Sequence, residues 1–197
     1  MTATLQINWI RHFPVENKGR YIGHTDIPAI IPEEPVNTTT ILPETALWFA
    51  SPLRRAVASA NYLRKNAHRN SQPLQIAPEL MEQNFGAWEN KTYDEVWNNE
   101  KTLHNWQNPA FIKPQGGENF AELCARVDGW LENILKGKYG TPLIVIAHSG
   151  VVRAGLRHSL KITPEQALNF TIDYGSITQV EYFSGGSGAR VNCVNNT

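Results

Sequence analysis

The run from Pro142 to Ala147 (Pro-Leu-Ile-Val-Ile-Ala) carries no polar side chain. A strand that is apolar on both faces has to be covered on both faces, and such strands sit centrally in parallel sheets flanked by helices. The run stops at His148-Ser149-Gly150, and helical spacing follows from about Val151 to Leu160. Strands alternating with helices in this way define the class as α/β: a three-layer sandwich, with a mostly parallel central sheet and helices on both faces.

The rest of the chain fits that frame. Thr4 to Ile10 alternates, with Leu5, Ile7 and Trp9 on one side, and ends at Arg11-His12. Ala46 to Ala50 is a second strand, and Leu53 to Asn66 a helix with Ala56, Val57, Ala60 and Leu63 at helical spacing. Leu74 to Ala77 is a short strand. Thr92 to Trp106 is a polar helix anchored by Val96, Trp97, Leu103 and Trp106. The clearest helix is Asn119 to Lys136, where Phe120, Leu123, Cys124, Val127, Trp130, Leu131, Ile134 and Leu135 share one face. Asn119 with Glu122 forms a capping-box pair at its start, and the polar turn Gly137 to Thr141 ends it. Thr163-Pro164-Glu165-Gln166 opens another helix, with proline at the first helical position. Ile177 to Phe183 and Arg190 to Val194 close the chain as strands, joined by a flexible turn over Ser184 to Gly188. Prolines at 28, 32, 35 and 43 exclude a long helix from Pro28 to Pro43, which reads as an ordered surface connection. With no repeat or linker, residues 1–197 read as a single domain.

Charge narrows the function. There are 18 Lys+Arg against 18 Asp+Glu, a formal net charge of zero. That balance argues against a protein that coats nucleic acid or a membrane surface, and leaves room for a small cationic pocket. No apolar run approaches the ~20 residues needed to span a bilayer, and Met1 to Trp9 lacks the pattern of a secretory signal. Cys124 and Cys193 give neither a disulfide framework nor a metal-ligand spacing. His24, His68, His104 and His158 have no ligand-like spacing either. The expectation is a cytoplasmic protein acting on a small molecule, with no metal and no cofactor; a homodimer is left open.

Ligands of open α/β sheets bind beyond the carboxyl ends of the strands. Arg11-His12 and His148-Ser149 leave strands at that edge, and Ser51-Pro52-Leu53-Arg54-Arg55-Ala56 starts a helix there. Histidines and arginines gathered at one edge form a cationic cup whose natural guest is a phosphate. Arginine forks onto two phosphate oxygens and stays charged, while a neutral imidazole can attack phosphorus. A leaving alkoxide needs a proton, and Glu82, within Leu80 to Glu89, is the best placed carboxyl group.

Taken together, Arg11-His12, Ser51-Pro52-Leu53 through Arg55-Ala56, Glu82 to Glu89, Gly116-Gly117-Glu118 and Ala147-His148-Ser149-Gly150-Val151-Val152-Arg153 resemble the histidine phosphatase superfamily, the family of the cofactor-dependent phosphoglycerate mutases. The blocks stand in the family's order from residue 5 to about residue 180. The resemblance implies a phosphoglycerate mutase-like fold, with His12 as the nucleophile that is phosphorylated. Arg11, Arg55 and His148 would hold the phosphoryl oxygens, and Glu82 would protonate the leaving oxygen and then activate water. Arg55 is preferred to Arg54 because the family motif has arginine directly before alanine. Ser149, where the family has glycine, would donate to phosphate. Phe13-Pro14 replaces the usual small residue after Arg-His and would wall the pocket. Arg153 would support the site, Glu89 and Glu118 would be structural, and Trp88, Trp97, Trp106 and Trp130 would be core. Gly19 to Pro28 is similar to the first loop of alpha-ribazole phosphatases. The expected activity is therefore a phosphomonoesterase, with alpha-ribazole 5′-phosphate as one substrate candidate. A non-catalytic phosphate-binding module and a phosphomutase are the alternatives.

Overall fold

The structure, a computed structural model, describes residues 4–36, 41–68, 73–99, 108–137, 140–183 and 188–197. Its sheet contains β1 (Thr4–Arg11), β2 (Leu47–Ala50), β3 (Leu74–Ile76), β4 (Leu143–Ala147), β5 (Ile177–Phe183) and β6 (Ala189–Asn196). The six strands lie in the order β3-β2-β4-β1-β5-β6. β1 and β2 both pair in parallel with β4, and β3 pairs in parallel with β2; β5 runs antiparallel to β1, and β6 antiparallel to β5. The helices are α1 (Arg54–Asn66), α2 (Tyr93–Asn99), α3 (Phe120–Lys136), α4 (Ser149–Leu160) and α5 (Pro164–Ala167).

The apolar run is buried at every position of β4, and its alternation creates two cores. Leu143, Val145 and Ala147 join Ile7, Trp9, Leu123, Val127, Leu131 and Val151 on the side of α3 and α4. Ile144 and Ile146 join Ile10, Trp48, Ala56, Ala60 and Leu63 on the side of α1. The register Trp9↔Val145 and Ile10↔Ile146 keeps matching residues on matching faces. Three layers follow from one strand that cannot leave either face in water, each large side chain contributing about 2 kcal/mol of burial.

Helix ends obey the local chemistry. Asn119 accepts from the Glu122 N–H while the Glu122 side chain accepts from the Asn119 N–H, the full capping box, and Thr163 with Gln166 repeats it on α5. α4 begins at Ser149 rather than Val151, with His148 as its N-cap residue; serine and glycine are weak helix formers, which conceals those first residues in the sequence. The helix expected over Thr92 to Trp106 is described as α2 only; Leu103 and Trp106 lie outside the described residues. Val96 is buried, but Trp97 is 43% exposed and is not a core residue; Trp88 and Trp130 are buried as expected. Most of the Ser184 to Gly188 turn and part of Gly137 to Thr141 also lie outside the described residues.

The proline-rich connection crosses α1. Ile30 N–H donates to the Pro14 carbonyl at 2.7 Å, the Tyr62 hydroxyl donates to the Glu34 carbonyl, and Ala29 and Val36 pack on the α1-side core.

Candidate active site

His12 follows directly on β1, where its N–H donates to Ala147 O at 2.9 Å, carrying the parallel ladder one step beyond the strand. Its ring Nδ1–H donates to the Phe13 carbonyl at 2.6 Å. A carbonyl only accepts, so Nδ1 carries the proton and Nε2 keeps its lone pair. The ring is buried. Burial first, then the Arg55 charge and, more weakly, Arg11, push its pKa down to about 3 against the opposing pull of the Phe13 carbonyl. At neutral pH the imidazole is uncharged.

His148 stands against it, the ring centroids 5.0 Å apart and edge to face. Arg55 Nε–H donates to His148 Nδ1 at 3.3 Å. Arginine has no lone pair to offer, so His148 must carry its proton on Nε2, which donates to Ser51 Oγ at 2.8 Å. Complete burial, then His12, Arg55 and Arg11, hold His148 well below the usual histidine range. Two neutral rings of defined tautomer therefore face one another.

Arg55 is 1% exposed, whereas Arg54 beside it is exposed. Its Nη1 donates to Thr25 O at 2.9 Å and its Nη2 to Gly23 O at 2.6 Å. Those carbonyls are presented by a loop that Glu89 holds. The Glu89 carboxylate accepts from the N–H groups of Gly23, His24, Thr25 and Phe85 and from the Thr25 hydroxyl. Burial alone would raise its pKa, but these donors outweigh burial and hold it below the ordinary carboxylate value. Asp26 then accepts from the Arg54 N–H at the start of α1, at 2.7 Å. Gly23 is required here, because a Cβ would lie 1.9 Å from Gln83 O.

Glu82 comes from the opposite wall. Its Oε1 accepts from the Gln83 N–H at 3.0 Å; its Oε2 accepts from the Gly150 N–H at 3.2 Å and the Ser149 hydroxyl at 3.3 Å. The Glu82 carboxyl group thus reaches the first turn of α4. Arg126 fastens the segment that carries it, donating to the carbonyls of Glu79 and Met81 while its guanidinium grips the Glu118 carboxylate.

Arg11 completes the cup. Its Nη1 donates to Ile172 O at 2.6 Å, and its guanidinium lies 3.6 Å from the centroid of the Tyr174 ring. That ring is also 5.4 Å from His12. Arg153, which donates to Phe170 O at 2.9 Å, is near enough to Glu82 and Arg11 for their charges to act on it.

The structure therefore brings Arg11, His12, Arg55, Glu82 and His148 together at the carboxyl edge of the parallel strands. Ser149 is there too, its hydroxyl donating to Glu82 Oε2 at 3.3 Å. Glu89 and Glu118 act as brackets for the walls. Tyr174 was missed in the sequence. The signal was topological: an antiparallel strand starts where its parallel neighbours end, so the residues before β5 meet the residues after β1, and Gly175 N–H donates to Arg11 O. Among the described residues, no group of three or more His, Cys, Asp or Glu side chains is placed to hold a metal ion, and no helix is long and apolar enough to cross a membrane.

Two buried histidines, two arginines and a carboxylate on this sheet edge define a class of protein. The family model of the histidine phosphatase superfamily (branch 1) matches residues 39–197, and the chain belongs to that superfamily. The matched stretch holds Arg55, Glu82 and His148; Arg11 and His12 precede it and reach the same cup through β1. Among curated relatives, the chain is 25% identical over 172 residues to the adenosylcobalamin/alpha-ribazole phosphatase of Escherichia coli, covering 83% of this chain and 82% of that one. It is 29% identical over 149 residues to a bifunctional protein of Mycobacterium tuberculosis, covering 75% of this chain, and spans about 40% of that relative's length. Among solved structures, the alpha-ribazole phosphatase of Shigella flexneri superposes with a TM-score of 0.80 at 21% identity, covering 97% and 96% of the two chains. A mycobacterial glucosyl-3-phosphoglycerate phosphatase complexed with VO3 gives 0.80 at 21% identity, covering 98% and 99%. These last two likenesses establish the phosphoglycerate mutase-like fold.

Proposed function

We propose that the protein is a phosphomonoesterase working through a phosphohistidine at His12. The observation that carries the reading is the His12 tautomer: Nδ1–H is committed to the Phe13 carbonyl, and a neutral ring presents the Nε2 lone pair beside two arginines. Nε2 attacks phosphorus, the P–N bond forms as the P–O bond to the alcohol breaks, and Glu82 gives a proton to the departing oxygen. Glu82 then takes a proton from water, whose oxygen attacks the phosphohistidine and releases inorganic phosphate and His12. Arg11 and Arg55 neutralise charge on the equatorial oxygens, the main requirement of phosphoryl transfer, and the neutral His148 gives its Nε2–H to one of them in place of Ser51 Oγ. Arg55 uses three of its five N–H groups on the protein, which leaves two for an oxyanion.

The substrate is a small phosphate ester, and alpha-ribazole 5′-phosphate leads. The Gly19 to Pro28 loop is similar to that of alpha-ribazole phosphatases, and relatives bearing that name match most of the chain. The test combines turnover of an aryl phosphate with trapping of acid-labile label. Wild type is expected to release inorganic phosphate and take up label, and His12→Ala to do neither. A wild type that does neither overturns the reading, and transfer to a second hydroxyl without release of phosphate would make it a mutase. A screen of phosphorylated metabolites that includes alpha-ribazole 5′-phosphate decides the substrate; faster turnover of an unrelated ester would displace it.

A further inference from the structure

Beside the histidine cup lies a cleft of about 440 Å³, with walls that include Phe13, Pro14, Pro32, Pro35, Val36 and Tyr174. Gly175 and the polar Thr197 complete the lining, and none of these side chains carries a charge. The cleft begins one residue from the nucleophile. Phe13 gives its carbonyl to His12 and its side chain to the cleft wall. Tyr174, also in the wall, packs against both His12 and the Arg11 guanidinium. An ester held by its phosphoryl group in the cup has to place the rest of its alcohol against some neighbouring surface, and the cup's own donors are occupied by the anion.

The walls are set in advance. The Phe13 ring is 3% exposed and sits edge to face on Tyr62, centroids 5.2 Å apart. Tyr62 in turn holds the Glu34 carbonyl, and the Pro14 carbonyl holds the Ile30 N–H, so the chain is tied down on either side of Pro32. Proline has little backbone freedom to lose when a ligand arrives. The volume falls in the range of small-molecule sites, and an apolar lining with polar groups gathered at one end is how such sites are built.

We propose that this cleft receives the alcohol portion of the phosphate ester and selects esters carrying a flat apolar ring over esters of small polar alcohols. The proposal rests on the cup being the phosphate site. It would make Phe13, which departs from the family's small residue, a specificity residue.

The test uses phosphonates, whose C–P bond is not hydrolysed, so binding is read independently of turnover. Phenylphosphonate and methylphosphonate are titrated by calorimetry into the full chain, and into Val36→Asp and Pro35→Asp. Phenylphosphonate is expected to bind wild type at least about tenfold more tightly. The substitutions should pull that ratio towards one by weakening phenylphosphonate alone, with methylphosphonate binding as the check on folding. Equal affinities in wild type, or a ratio that survives both substitutions, would overturn the subsite. Failure of wild type to bind either phosphonate would overturn the phosphate cup itself.

Discussion

Gly150 shows how tightly single atoms constrain this site. A Cβ there would lie 2.3 Å from Glu82 Oε1. Alanine is otherwise favoured over glycine inside a helix by about 1 kcal/mol. Gly150→Ala should therefore leave global stability nearly intact while displacing the carboxylate, and kcat on an aryl phosphate should fall by about 100-fold with little change in KM. A fall in stability with unchanged kcat would mean that Glu82 is not held there for chemistry. His12, Arg55, Glu82 and His148 could be picked out in the sequence because each sits in a block that resembles a family motif. Tyr174 and the clamp by Glu89 could not, since neither type nor spacing marks a residue whose partner is about 65 or 160 positions away. The contact of the Ser149 hydroxyl with Glu82 could not be read from the sequence either, since the two are 67 positions apart.

At the scale of elements, the loop over Gly23 to Thr25 has no secondary structure of its own and depends on one carboxylate. Glu89→Gln replaces an acceptor-only group by one with an N–H₂ that faces donors. Hydrogen bonds to a charged acceptor contribute about 2 kcal/mol each, so the loss should be of that order in urea unfolding. Methylphosphonate affinity should fall with it, because the loop presents the carbonyls that orient Arg55. Asn119→Ala makes the contrast: α3 loses its cap, stability drops by about 1 kcal/mol, and kcat stays unchanged. α3 and β4 were legible almost residue by residue because periodicity and apolarity coincide there. α2 falls within the helix expected from Thr92, but of its two anchors among the described residues Val96 is buried and Trp97 is exposed, since a mostly polar helix leaves little pattern to read.

Over the whole molecule, a net charge of zero still leaves Arg11 and Arg55 together at one sheet edge, and two histidines beside them are kept neutral. The sign of the pH dependence follows. Unfolded, His12 titrates near the ordinary value; folded, it does so near pH 3. Between the two the unfolded chain binds a proton that the folded chain refuses, so stability declines as pH falls from about 6.5 towards 3. The slope from His12 is about 1 kcal/mol per pH unit, and His148 acts in the same direction. Urea midpoints at pH 7, 6 and 5 measure it. His12→Asn should flatten the curve, and a curve unchanged by that substitution would place the acid sensitivity elsewhere.

Because β5 runs against its neighbours, the last third of the chain is led back to the strand ends where His12 sits, and Gly175 and Ser176 become the stitches that close the site from behind. Deuterium uptake at the Gly175 amide, which donates to Arg11 O, and at the Arg11 amide, which donates to Ser176 O, should therefore follow any loosening around His12. The turn that leads into β5 thereby becomes a gauge of whether the cup is intact.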